Sequence, residues 1–334
     1  MSRKQNPSFF SGTASDGEFP ALFRLPEPHK RSDGEFPALF RLPEPRSKLK
    51  NVFSVIAFHP MFTTVYISGV VVAILYVSFL LQNVVYSALL LGATFFLGIS
   101  VYSLNRVTDL EEDSVNLPDK GRFFKKNRDY LLFASLESIN IAVVLAFFIN
   151  PSAIIVILSA FYMAGFYGIG ARRLRLKNIL LFKNIAIAGT MTMAAVLLPL
   201  MVQSNIAFIV LMVTYYIFLN IFIESVLHDV RDIEGDRKAG VRTVPTFLGR
   251  NKTRNLLLLL NSTLVVWVAF SLFRAIFYPY IFVLILGVLY GYWSILRFTR
   301  ASAKTSRPFY SFVTFKWMVM ALYAVPFALG WPSL

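Results

Sequence analysis

Nine apolar runs, each close to the length that crosses a bilayer, set what this 334-residue chain can fold into. They cover about 60–82, 84–104, 130–150, 152–169, 179–201, 205–227, 256–275, 278–296 and 309–331. A helix needs roughly 20 mainly apolar residues to cross the hydrocarbon core. Backbone groups find no water there, so each run must close its own hydrogen bonds as a helix. Composition agrees: 56% of the residues are hydrophobic and 15% charged, against about 25% charged in soluble proteins. The expected fold is an all-α polytopic bundle of nine transmembrane helices over residues 51–334.

Charge then orients the bundle. Apart from Arg274, every Lys and Arg falls before residue 60 or in 105–129, 170–184, 228–255 and 296–316. These are alternate connections, so they share one side, and by the positive-inside rule that side is cytosolic. The expected protein is therefore integral to the cell membrane, with its amino terminus inside and its carboxyl terminus outside. The opposite connections, such as Gln82-Asn83 and Asn150-Pro-Ser152, are minimal turns. The net charge of +15 is explained by this asymmetry and calls for no nucleic acid.

Residues 1–50 read as a disordered cytosolic tail. It carries the same 14-residue stretch twice, at 15–28 and 32–45, with Pro too frequent for a continuous helix. The first apolar run lies beyond residue 50 and is long enough to span, so no signal peptide is expected. There are no cysteines, which excludes disulfides and thiolate chemistry. His29, His59 and His228 show no metal-ligand spacing.

Two acidic rows carry the chemistry. Asn105, Asp109 and Asp113 end the second run at i, i+4, i+8; Asp229, Asp232 and Asp236 end the sixth at i, i+3, i+7. Either spacing places its side chains on one helix face. Carboxylates stacked so closely need a cation, and a hard ion such as Mg²⁺ suits oxygen ligands shared with substrate phosphates. Arg106, Lys120, Arg122, Arg172 and other basic residues of the same loops can neutralise phosphate charge. A diphosphate bearing a hydrocarbon tail fits both the charged rim and the apolar bundle. Metal and cations make diphosphate a leaving group, and aromatic faces can stabilise the allylic cation it leaves. Tyr102, Phe161, Phe166, Tyr167, Tyr215, Tyr216 and Phe222 lie near the right depth. Glu137 and Glu224 are the acids inside spans, and intramembrane carboxylates are functional candidates by default. The two rows end spans two and six, pointing to two four-helix halves plus a ninth helix.

These motifs resemble the UbiA superfamily of intramembrane prenyltransferases. The resemblance rests on Asn105-x3-Asp109-x3-Asp113 and on the run from Asp229-Val-Arg-Asp232-Ile-Glu-Gly-Asp236 to Thr-Phe-Leu-Gly249. It implies a helix bundle with a central cavity open sideways to lipid and the acidic motifs at its cytosolic mouth. It implies Mg²⁺-dependent transfer of a prenyl group from a prenyl diphosphate to a lipophilic or aromatic acceptor. Asn105, Asp109 and Asp113 would hold one Mg²⁺, and Asp232 and Asp236 the other, with Asp229 assisting. Lys120 and Arg122 would bind the diphosphate, joined by Arg106. Tyr167 with Arg172 would fill a Tyr–basic role, at a spacing one residue longer than the usual Tyr-x3-Lys. Quinone-pathway members often carry Arg-Pro-Leu after the first motif. This chain has Val115-Asn-Leu-Pro-Asp-Lys-Gly-Arg122 instead. The acceptor stays open between an aromatic quinone precursor and a glycerol-phosphate-type lipid.

A transporter with a cytosolic cation or phosphate site is the competing reading, but transporter sites usually lie near the midplane. A CDP-alcohol phosphotransferase expects an Asp-Gly opening to its motif. Here the Asp-Gly pairs, at 16–17 and 33–34, lie in the tail.

Overall fold

In the computed structural model the described residues are 60–108, 110, 118–173, 179–238, 240–300 and 311–328. They form ten α-helices: α1 Pro60–Leu81, α2 Ala88–Thr108, α3 Pro118–Lys126, α4 Arg128–Phe147, α5 Pro151–Arg173, α6 Phe182–Leu200, α7 Ala207–Lys238, α8 Val244–Phe273, α9 Ile281–Phe298 and α10 Ser311–Ala328. A single 3-10 turn, Tyr278–Tyr280, precedes α9. Among the described residues there is no strand. The tail with its repeat lies outside them, as do Asp109 and Asp113.

Among the described residues seven helices are long and apolar enough to cross a membrane, and two apolar stretches, Pro151–Phe166 and Val313–Val325, are shorter. Two apolar cores hold them together. One joins α1, α2, α4 and α5 to α6 through Leu75, Phe79, Leu90, Leu97, Ile157 and Leu198. The other joins α6 to α10 with α1, through Ile74, Tyr216, Leu264, Trp267, Leu284 and Trp317. The outer surface is also apolar: Phe273 is 85% exposed and Phe282 73%. In water this would be costly, but against lipid it is ordinary, and packing rather than hydrophobicity must then bind helix to helix.

Small residues provide that packing. Ser100 of α2 donates to the Ser135 carbonyl at 2.7 Å, and Ser135 returns a bond to the Ser100 carbonyl at 2.9 Å. Gly98 packs directly on Ser68 of α1, where a Cβ would come within 2.9 Å of the Ser68 Cα. Gly98→Val therefore forces these helices apart. We expect a loss of about 1–3 kcal/mol, seen as a lower melting temperature in detergent; an unchanged melt would refute the close crossing.

The minimal turns are stitched to one another. Gln82 Nε2 donates to the Val196 carbonyl at 3.1 Å, Asn150 Nδ2 to the Met201 carbonyl at 3.1 Å, and the Asn205 side chain to the Gln82 carbonyl. α2 begins at Ala88 and α7 at Ala207, just after these stitched turns, so both run away from them and end at Thr108 and Lys238.

Two features differ from the sequence expectation. The sixth span continues as one helix to Lys238, eleven residues past the end of its apolar run at 227, and carries all three aspartates. A short amphipathic helix, α3, follows the first motif, anchored by the fully buried Phe124.

Candidate active site

The end of α7 is fixed by its own backbone. Gly240, at φ +69°, adopts the left-handed conformation that ends many helices. Its N–H bonds the Arg237 carbonyl at 3.3 Å, and the Val241 N–H bonds the Asp236 carbonyl at 2.9 Å. Thr243 then caps α8, with Thr246 reciprocating from three residues on. Gly249, at φ +76° and ψ 162°, breaks α8 so that its main part starts at Arg250. The sequence from Asp236 to Gly249 is thus a stop, a cap and a break, and it holds the last acidic turn of α7 in place.

Within that turn the three aspartates have different partners. Asp229 is wholly buried. Its Oδ1 pairs with Lys183 Nζ at 2.7 Å, and its Oδ2 accepts from Asn184 Nδ2 at 2.8 Å. Asn184 also donates to Ser225 Oγ at 2.9 Å, so the start of α6 is clamped to α7. Asp232 lies nearer the surface and receives both arms of Arg231, at 2.7 and 2.6 Å. Asp236 is buried, and its Oδ2 meets no hydrogen-bond donor among the described residues. A buried, unmatched carboxylate oxygen is costly. It is the donor type a hard divalent cation takes, so the residues present fit such an ion.

The first motif is described only in part. Asn105 sits in the last turn of α2, its carbonyl accepting from Thr108 Oγ1 at 3.1 Å. Arg106 bonds the Tyr102 hydroxyl and lies over the rings of Tyr102 and Phe124, 4.6 and 5.1 Å from their centroids. It thereby ties α3 to the end of α2. Arg122 is exposed on α3. Lys120 belongs to α3, and Tyr167 and Arg172 to α5. Among the described residues no three acidic or histidine side chains gather at one point.

The aromatic candidates separate. Tyr216 is fully buried and Phe222 nearly so, the first against Trp267 and the second stacked on Phe218. Phe166 is 51% exposed and Tyr215 42%. Glu137 is likewise on the exposed face of α4, whereas Glu224 is 5% exposed inside the bundle.

Three residues escaped the sequence reading. Lys183 counts among the basic residues of the 170–184 connection, and Asn184 is not singled out there. Lys316, expected in the 296–316 connection, lies instead within α10 and is 3% exposed. Its only sequence signal was a lysine within an otherwise apolar stretch, Phe312-Val-Thr-Phe-Lys-Trp-Met.

The profile of the UbiA prenyltransferase family matches residues 65–319. The chain belongs to this family. With seven helices among the described residues long and apolar enough to cross a membrane, it is an integral membrane protein of that family. Digeranylgeranylglyceryl phosphate synthase from Pyrococcus furiosus is 29% identical over 150 residues, 44% of this chain. The matched part spans about half of that relative's length, 51%. A UbiA homologue from Archaeoglobus fulgidus bound to GPP and Mg²⁺ shares the fold with TM-score 0.61 and 14% identity, over 81% of this chain and 99% of that one. A UbiA homologue from Aeropyrum pernix gives TM-score 0.57 and 16% identity, over 79% and 98%.

Proposed function

We propose that this chain transfers a prenyl group from a prenyl diphosphate to a membrane-associated acceptor, with Mg²⁺ bridging the acidic motifs and the diphosphate. The observation that carries this reading is the buried Asp236 oxygen without a donor, four residues from Asp232 on one helix face. Asp232 and Asp236 would hold one ion, and Asn105, Asp109 and Asp113 the other. Asp229, with both oxygens committed to Lys183 and Asn184, assists by fixing the turn rather than by direct ligation. Bound Mg²⁺ supplies charge neutralisation of the departing diphosphate.

Lys120, Arg122, Arg106, Tyr167 and Arg172 are assigned to the diphosphate, Arg106 acting from its seat on Tyr102 and Phe124. Nine crossings, a cell-membrane location and a cytosolic acidic face complete the reading; the basic connections support the orientation. A glycerol-phosphate-type lipid is the favoured acceptor, on the strength of the Pyrococcus relative. An aromatic quinone precursor is the second choice.

The test is binding of geranylgeranyl diphosphate to the purified chain with Mg²⁺ or with excess chelator. Chelation is expected to weaken binding by about tenfold or more, a change of at least ~1.4 kcal/mol. Equal binding in both conditions would sink the metal bridge.

A further inference from the structure

A buried ion pair lies deeper in the bundle than the acidic motifs. Glu224 of α7 pairs with Lys316 of α10 at 2.8 Å, the two side chains 6% and 4% exposed. Trp317 Nε1 donates to Glu224 Oε2 at 3.2 Å. Lys316 also donates to Asn220 Oδ1 at 2.6 Å, and Asn220 Nδ2 donates to the Tyr216 carbonyl at 2.8 Å. The phenols of Tyr66 on α1, Tyr216 on α7 and Tyr290 on α9 are near enough to interact electrostatically with Glu224. Tyr66 is itself joined to Thr314 of α10 at 3.2 Å.

Such a pair is poorly explained as a fastener. Desolvating two charges often costs more than their attraction returns, and apolar residues of like volume commonly do as well. Ionisable groups held inside a membrane are rare and tend to serve function. The neighbourhood could have been wholly apolar: Val313, Trp317, Met320 and Leu284 already pack there.

Position relates the pair to the chemistry. Glu224 is five residues before Asp229, about 7.5 Å along the helix, and eight before Asp232, about 12 Å. With the diphosphate anchored at Asp232 and Asp236, its allylic carbon lies one diphosphate group further into the bundle, at the level Glu224 reaches. This step rests on the function proposed above. When an acceptor hydroxyl attacks that carbon, a new C–O bond forms. The bond to diphosphate breaks, its electron pair leaving with the diphosphate, and the hydroxyl proton must be taken up. The aspartates of α7 are given to Lys183, Asn184, Arg231 and the metal. Among the described residues, Glu224 is the acid buried in the interior apart from that motif.

We propose that Glu224 accepts the proton of an alcohol acceptor, with Lys316, Trp317 and Asn220 as positioning residues that aim its carboxylate. The acceptor in this step is a lipid alcohol, whose hydroxyl is the oxygen nucleophile. Glu224 ends the transfer neutral beside Lys316 and then loses the proton to solvent.

The decisive variant is Glu224→Gln/Lys316→Met, which removes both charges and leaves neither one unpaired. The full chain in detergent is given geranylgeranyl diphosphate, Mg²⁺ and, in separate arms, geranylgeranylglyceryl phosphate or 4-hydroxybenzoate. The double variant is expected to melt near wild type and to bind the diphosphate within about threefold. Its transfer to the lipid alcohol is expected to fall about 100-fold or more, the usual scale for loss of a general base. A merely structural pair predicts that the double variant transfers nearly as well as wild type, and that result would overturn the proposal. Wild-type transfer to 4-hydroxybenzoate but not to the lipid alcohol would overturn it too, while leaving prenyl transfer standing. Wild type that binds no diphosphate with Mg²⁺ would instead overturn the function on which the proposal rests.

Discussion

Asp232→Ala is expected to abolish prenyl transfer while leaving the bundle folded. The two halves of that expectation have separate grounds. Asp232 sits at the polar end of α7, and its only described partner is the exposed Arg231 beside it. Exposed pairs contribute about 0–1 kcal/mol, so losing this one should barely move the melting temperature. The chemical cost is expected to be much larger. Asp232 and Asp236 share a helix face, and under the proposed function removing one oxygen ligand would disrupt the site that neutralises the leaving diphosphate. Loss of a single preorganised electrostatic group typically costs about 10²–10³ in rate, and loss of a metal ligand should reach at least that. The measurement is product formation from geranylgeranyl diphosphate at saturating Mg²⁺, with a melt on the same sample. Full activity would remove Asp232 from the machinery.

The sequence was a good guide wherever one physical demand acts locally. A bilayer crossing requires about 20 apolar residues in a row, so α1 from Pro60 and α6 to Leu200 lie within a few residues of their apolar runs. The second acidic row was readable because i, i+3, i+7 spacing is itself helix geometry, and α7 carries all three aspartates. What remained hidden depends on pairing across the bundle. Nothing near Glu224 in sequence announces Lys316, 92 positions away, and Lys183 is 46 positions from Asp229. The lysine count by connection also misled at Lys316. A positive residue near the end of an apolar run looks like loop until a buried carboxylate opposite is known.

Lys183→Met is expected to destabilise the protein more than any change at Asp232. Asp229 is fully buried, and Lys183 is the cation that balances it. Among the described residues, removing the lysine leaves the anion held by the Asn184 amide. Breaking a buried pair costs about 3–5 kcal/mol. Because the Lys183 side chain is 34% exposed, water reaches part of the site; a loss of about 2–3 kcal/mol, the scale of a bond to a charged group, is expected instead. The sign of a second change separates charge from packing. Asp229→Asn added to Lys183→Met removes the stranded anion and should recover most of the lost melting temperature. If packing of the lysine stem were the cause, the double variant would be no more stable than the single one. Activity should not recover with stability, because the amide that replaces the Asp229 carboxylate lacks the charge that orients the turn ending in Asp232 and Asp236. A double variant restored in both stability and transfer would show that Asp229 serves the fold alone.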